Sequence, residues 1–311
     1  MGVTVQNPPT TGPRSAWAQR WIFPLALTSL GVNILIVLTG GTVRLTASGL
    51  GCPTWPRCTE ESFVPQGELG IHGAIEFGNR LVTFLLAAVA VATFVAAWKY
   101  GRSSLVRLAL VLGLGVPAQA VLGGITVLTD LNPWIVAFHL LVSMAMIQVA
   151  VVLLRRLREG DGPATPTVPN CVVWLVRTTF VAGWAVLYLG TIVTGSGPHA
   201  GDINAPRNGL DPAAWSQLHT DAVFLLVGLT IGSLFALRAV GAPARAVKAA
   251  GMLLGVELAQ GVVGFVQYFT GLPIVLVGLH LLGSALVSAC LAWLLVGVRD
   301  RALVTESAPA G

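Results

Sequence analysis

Four side chains able to do chemistry stand in one short stretch: His72, Glu76, Asn79 and Arg80. An imidazole can ligate a metal, a carboxylate can move a proton, and a guanidinium can fix a carboxylate or an anion. The stretch opens an apolar run from Leu81 to Ala97. Inside lipid an ionisable group costs roughly 2.5–3.5 kcal/mol, so such groups face a bundle interior and mark function. At about 100° per residue, His72 and Asn79 fall about 20° apart on one helix face, and Glu76 about 40° from His72. The competing reading is a polar cluster snorkelling to the interface at a helix end.

The elements that must position this stripe follow from composition. The chain has 311 residues, 55% hydrophobic and 10% charged, with a mean hydropathy of +0.80. That is an all-α, polytopic membrane protein rather than a soluble domain. Eight apolar segments are long enough to span, near 21–42, 71–98, 105–128, 132–155, 171–195, 212–238, 244–270 and 273–297. The first is too long for a cleavable signal and lacks a cleavage site. Thirteen basic residues, among them Lys99, Arg102, Arg155, Arg156, Arg245 and Arg299, fall on one side, and only Arg44, Arg57 and Arg207 on the other. The positive-inside rule places both termini in the cytoplasm, which points to the plasma membrane. The net charge of +5 follows from this asymmetry and gives no case for nucleic acid.

The two halves repeat. Ala118-Gln119-Ala120-Val121-Leu122-Gly123 matches Ala259-Gln260-Gly261-Val262-Val263-Gly264, and His139-Leu140-Leu141-Val142-Ser143 matches His280-Leu281-Leu282-Gly283-Ser284, both at an offset of 141. Asn79 to Phe84 aligns with His219 to Phe224 at an offset of 140, and Gly41-Thr42-Val43 corresponds to Gly190-Thr191-Ile192. Four spans per copy give both copies one orientation. The expected fold is two tandem, pseudo-symmetric four-helix bundles about an axis along the membrane normal. The expected division is a disordered tail over 1–20, a first bundle over 21–158, a Gly- and Pro-rich cytoplasmic linker over 159–170, a second bundle over 171–298 and a tail over 299–311.

Four of the five histidines, His72, His139, His219 and His280, lie in the outer parts of spans. A lone histidine in a helix is more often a satisfied core residue; four related by a repeat ask for another reading. His219 and His280 sit at matching depths, and two imidazoles facing each other across a bundle can ligate a haem iron from both sides. Zinc would want three or four protein ligands, which this half does not supply. The loop residue His199 reads as a loop or propionate-side contact. In the first half His139 matches His280, but the position of His219 is held by Asn79, a poor iron ligand. This asymmetric site, with Glu76 three residues before Asn79, suits chemistry better than electron storage. His72 approaches the same cavity from about 10 Å further along the helix.

Two outer loops are rich in Gly and Pro, 44–70 and 194–211, and can cover the mouth of a bundle. Cys52 and Cys58 lie in the first, on the oxidising side. A disulfide, a pair of free thiols and a metal site short of partners all fit that spacing. Cys171 and Cys290 read as packing residues.

Taken together, these motifs resemble the haem A synthase family over nearly the whole chain. The resemblance rests on Gly40-Gly41-Thr42-Val43-Arg44 leading to Ser48-Gly49-Leu50-Gly51-Cys52, on Glu76-Phe77-Gly78-Asn79-Arg80, on Phe138-His139, on Thr194 to Asp202, and on His219 and His280. It implies haem b held by His219 and His280, and substrate haem O in the first half on His139, with Asn79, Arg80 and His72 about it. It also implies a role for Glu76 in oxidising the C8 methyl to a formyl by two hydroxylations, a Cys52–Cys58 disulfide, and a haem O synthase as partner. The electron acceptor is unspecified and a homo-oligomer is allowed. Two departures stand out: the family commonly has histidine where this chain has Asn79, and many bacterial members carry a second cysteine pair in the later loop. Two other function classes fit the pattern, a two-haem carrier of electrons from quinol and a transporter built on tandem repeats. Pigment extraction separates them: haem b with haem O or haem A for the enzyme, haem b alone for the carrier, none for the transporter.

Overall fold

A computed structural model describes residues 15–302. Among them eight α-helices run in order: α1 (Ala16–Leu45), α2 (Gly70–Tyr100), α3 (Ser103–Leu128), α4 (Pro133–Arg156), α5 (Asn170–Ser196), α6 (Pro212–Ala239), α7 (Ala244–Phe269) and α8 (Ile274–Gly297). All eight are long and apolar enough to cross a membrane. In lipid a helix satisfies its own backbone, which is why continuous apolar composition becomes continuous helix. Seven spans begin and end within two residues of expectation.

The first differs. The expected tail over 1–20 is cut short because the helix starts at Ala16; Trp17 and Trp21 are good interfacial residues and extend it. Residues 1–14 lie outside the described residues. At the other terminus a second correction applies. Strand β1 (Ala164–Pro166), inside the expected linker, pairs antiparallel with β2 (Arg299–Arg301), inside the expected tail. Residues 303–311 lie outside the described residues.

Helix contacts draw the repeat. In the first half α1 packs on α2, α2 on α3, α3 on α4 and α4 back on α1; in the second α5, α6, α7 and α8 close the same ring. The rings meet through α4 on α8, α1 on α8 and α4 on α5. Val37, Met144, Ile147, Val151, Leu187, Ala285, Ala289 and Ala292 form this central core. Its alanines let backbones approach, and Ser288 donates to the Met144 carbonyl at 2.9 Å across it. The α3–α4 and α7–α8 turns repeat in detail: Leu131 and Leu272, offset by 141, both have φ of +60°, and each N–H returns to the carbonyl five residues earlier, Thr126 and Gln267.

Caps fix where the site-bearing helices begin. Asn132 caps α4, accepting from Trp134 N, and Asp211 caps α6, accepting from Ala213 N and Ala214 N. Each is followed by proline at the first helical position, where the missing N–H costs nothing.

Candidate functional site

His219 is the eighth residue of α6 and His280 the seventh of α8. Their ring centroids lie 6.5 Å apart, with the ring planes at 78° to each other. Two metal–imidazole bonds of about 2.0–2.1 Å, in line through both rings, would separate the centres by about 6.3 Å. Behind each ring stands a glycine on the next helix. A Cβ on Gly190 of α5 would lie 3.3 Å from His219 Cε1, and one on Gly264 of α7 would lie 3.4 Å from His280 Cε1. A Cβ would already touch each ring, and a larger side chain would push it inward. His219 looks to the Val186 carbonyl and His280 to that of Gln260, although neither Nδ1 reaches full hydrogen-bond geometry. Carbonyls on the Nδ1 side favour the tautomer that leaves Nε2 free as a ligand.

The first bundle repeats this frame with different chemistry. His139 of α4 stands over Gly123, whose Cβ would lie 3.5 Å from Cε1, and Asn79 of α2 faces Gly40 at 4.0 Å. Gly40 therefore takes the place that Gly190 takes in the second half, one residue from the sequence alignment. Asn79 Oδ1 accepts from Thr39 Oγ1 at 2.7 Å. Gln119 holds the turn below His139 by donating to the His139 carbonyl and to Ser143 Oγ.

Glu76 lies one turn from Asn79 and is buried. Its Oε2 accepts from Cys52 N at 2.6 Å and its Oε1 from Arg80 Nη2 at 2.7 Å. Arg80 also donates to the carbonyls of Thr54, Pro56 and Arg57. The pair thus fastens the loop after α1 to α2. Cys52 and Cys58 are joined by a disulfide, which settles the alternatives left open by their spacing. Trp55, between them, lies flat against Gly124 of α3, where a Cβ would overlap the indole. Trp55, Pro56, Phe63 and Val64 roof the first bundle.

Beneath this roof a single cavity of about 1260 Å³ runs through both halves and is lined by Glu76, Asn79, Arg80, His139, His219 and His280. Ordinary small-molecule sites hold roughly 300–1,000 Å³. Two sequence candidates stand apart from this group. His72, expected at the first pocket, is not among the lining residues; its Nδ1 pairs with Ser48 Oγ at 2.9 Å, and it belongs to the loop contact instead. His199 Nε2 is bound at the Leu272 carbonyl at 2.9 Å. Arg44 donates to the His199 and Thr194 carbonyls, tying the first half to the second loop. One lining residue escaped the sequence reading: Glu257 of α7. Its signal was a carboxylate in the middle of an apolar span.

The profile of the COX15-CtaA family, described as cytochrome oxidase assembly protein, matches residues 23–72 and 68–203, more than half of the chain. The chain belongs to this family. It is 28% identical to a heme A synthase of Bradyrhizobium sp. over 315 aligned positions, covering 83% of this chain and 85% of that relative. It is 34% identical to a heme A synthase of Geobacillus thermodenitrificans, over 43% of this chain and 42% of that one. A protoheme IX farnesyltransferase of Halobacterium salinarum matches at 31% identity over 47% of this chain and 32% of its own length. The alignments to the Geobacillus and Halobacterium proteins thus span under half of those relatives.

Proposed function

We propose that the protein is a haem A synthase, oxidising the C8 methyl of haem O to a formyl for cytochrome oxidase assembly. The observation that carries this reading is the asymmetry inside one cavity. The same helical frame presents two facing imidazoles in one half, and one imidazole, an amide and a carboxylate in the other. The first pair fits a haem b with two axial ligands, His219 and His280; the second fits a haem substrate held on one side by His139. A bound haem b would supply one-electron transfer to or from the neighbouring site.

This chain's own residues have separable tasks. His139 orients the substrate ring, and Asn79, locked on Thr39, leaves the opposite side without an imidazole. Arg80 and the Cys52 N–H fix the direction of the Glu76 carboxyl group. Each of its oxygens keeps a second lone pair. Electrons leaving a ring methyl build positive charge at that carbon, and a fixed carboxylate stabilises it or takes a proton from attacking water. The Trp55 roof limits access of bulk water.

The basic-residue asymmetry puts both termini in the cytoplasm and the disulfide roof on the outer face of the plasma membrane. A haem O synthase is the partner that would supply substrate, and the appearance of a protoheme IX farnesyltransferase among the relatives supports it. The test is chromatography of haems extracted from the purified protein and from cells that also make haem O. Haem A formed in the wild type and lost in Glu76→Gln is the expected result; haem b alone, with no conversion, would favour an electron carrier.

A further inference from the structure

Glu257 has no task in this scheme. It sits midway along α7 and is 3% exposed. Its Oε1 accepts a hydrogen bond from Thr230 Oγ1 of α6 at 2.9 Å; its Oε2 has no partner. The repeat position in the first bundle, at the offset of 141, is Val116, a buried member of that bundle's apolar core. The frame therefore packs a hydrocarbon where the second half spends a carboxylate. A carboxyl group in the lipid-spanning zone is costly, and such groups mark proton or ion pathways.

Its surroundings hold no fixed counter-charge. From α6 come the Thr230 hydroxyl and the buried Ser233; the charged groups of that helix, Asp221 and Arg238, lie about 12 Å or more from Thr230 along the axis. From α8 come the Cys290 thiol, buried in the same core, and His280. On α7 itself Arg245 and Lys248 stand more than two turns away, toward the strand end. Among the described residues, the His219–His280 pair, where an electron could be added, lines the same cavity. Gly264, against the His280 ring, is seven residues from Glu257, about 10 Å along the helix.

We propose that Glu257 is an internal proton-accepting site, taking up one proton when the haem iron between His219 and His280 gains an electron and releasing it when that electron leaves. The inference rests on the bis-imidazole haem reading above. In the step, a reduced donor (a membrane quinol, or dithionite in the test) gives one electron to the iron, and water gives one proton to the carboxylate. Oxidation returns both. Taking the helical rise of about 10 Å from Glu257 to Gly264 as the scale of the separation, and an effective dielectric near 20, an added electron would change the proton affinity of Glu257 by roughly tenfold. By linkage the proton changes the electron affinity by the same factor, about 59 mV for a one-electron couple. Uncompensated addition of an electron to a buried site is unfavourable, and a proton acceptor one helix away offsets it.

The test uses the full-length protein, purified with its haem. Redox titrations across the neutral pH range should give a midpoint potential that falls with rising pH by about 59 mV in all. The reduced-minus-oxidised infrared spectrum should contain a protonated-carboxyl C=O band. Glu257→Gln keeps an acceptor for Thr230, and should lose the band and flatten the titration. Thr230→Val removes the donor to the ionised carboxylate and should move the sloping region to higher pH; it answers the question if Glu257→Gln does not fold. A slope and band unchanged in both variants, or a pH-independent wild-type potential with a low-spin haem present, overturns this proposal alone. A wild-type protein without a low-spin haem, or a low-spin spectrum that survives His280→Ala, overturns the haem reading as well.

Discussion

Glu76 has both oxygens engaged before any substrate arrives, by Arg80 and by the Cys52 N–H. That fixes its direction but also gives it a structural duty. Glu76→Gln separates the two, because the amide oxygen still accepts from Cys52 N while the charge is gone. We expect it to retain the His219/His280-bound haem and to accumulate haem O, read by chromatography of extracted haems; normal haem A yield would leave Glu76 as a loop fastener only. The glycines behind the imidazoles make a second residue-scale prediction. Gly264→Leu drives carbon against the His280 ring from 3.4 Å outward, and an overfilled core site costs about 1–3 kcal/mol. The low-spin spectrum should weaken or turn high-spin while α7 stays folded by circular dichroism. His219→Ala should do the same through loss of an axial ligand. The imidazoles and Glu76 were legible in the sequence because a repeat and a motif frame them. Glu257 was not singled out, since its one signal, a carboxylate in an apolar span, has neither a repeat counterpart nor a motif around it.

At the scale of elements, hydropathy read the helices well because lipid demands unbroken apolar helix of a set length. It missed the three-residue strands β1 and β2, which are too short for a period and include Pro166. It also could not tell whether Cys52 and Cys58 bond; that depends on how the loop folds over α2. With the disulfide formed and both cysteines fully buried, alkylation of unreduced protein should label neither. Ready labelling of both without reductant would refute the pairing. Closing so short a loop contributes about 2 kcal/mol to its order. Reduction should therefore loosen the Trp55 roof, raising proteolytic nicking between 53 and 66 before the helices melt.

On the scale of the whole molecule, a network of ion pairs gathers at the strand end. Asp300 joins Arg155 of the first bundle to Arg245 of the second, and Asp161 joins Arg102 and Arg156 and accepts from Ser104 Oγ. Partial burial would raise the Asp161 carboxyl, but its bonds to Arg102 and Ser104 and the charges of Arg102 and Arg156 outweigh this and hold it below the usual carboxylate range. A lowered folded value means the contribution is complete above the ordinary carboxylate pKa and disappears as pH falls through the lowered one. Protection of Thr167 N, which bonds to the Val298 carbonyl, should be high near neutrality and fall in acid once the intrinsic pH dependence of amide exchange is divided out; Asp161→Asn should lower it throughout. Exposed pairs of this kind are individually weak, about 0–1 kcal/mol, so Asp300→Ala should loosen the strands without unfolding the bundles.

The opposite end is held as well, by Arg44 reaching from the first half to the Thr194 and His199 carbonyls of the second. A body stitched at top and bottom cannot rock open like a hinged jaw. Its stiffness is axial, and its compliance lies between adjacent helices of one bundle. A flat, greasy cargo with a long isoprenoid tail never has to leave the lipid to reach such a seam. With the proposed haem O as cargo, traffic should therefore run sideways, in the plane of the membrane, at a rate that follows the fluidity of the surrounding lipid more closely than the viscosity of the water above it.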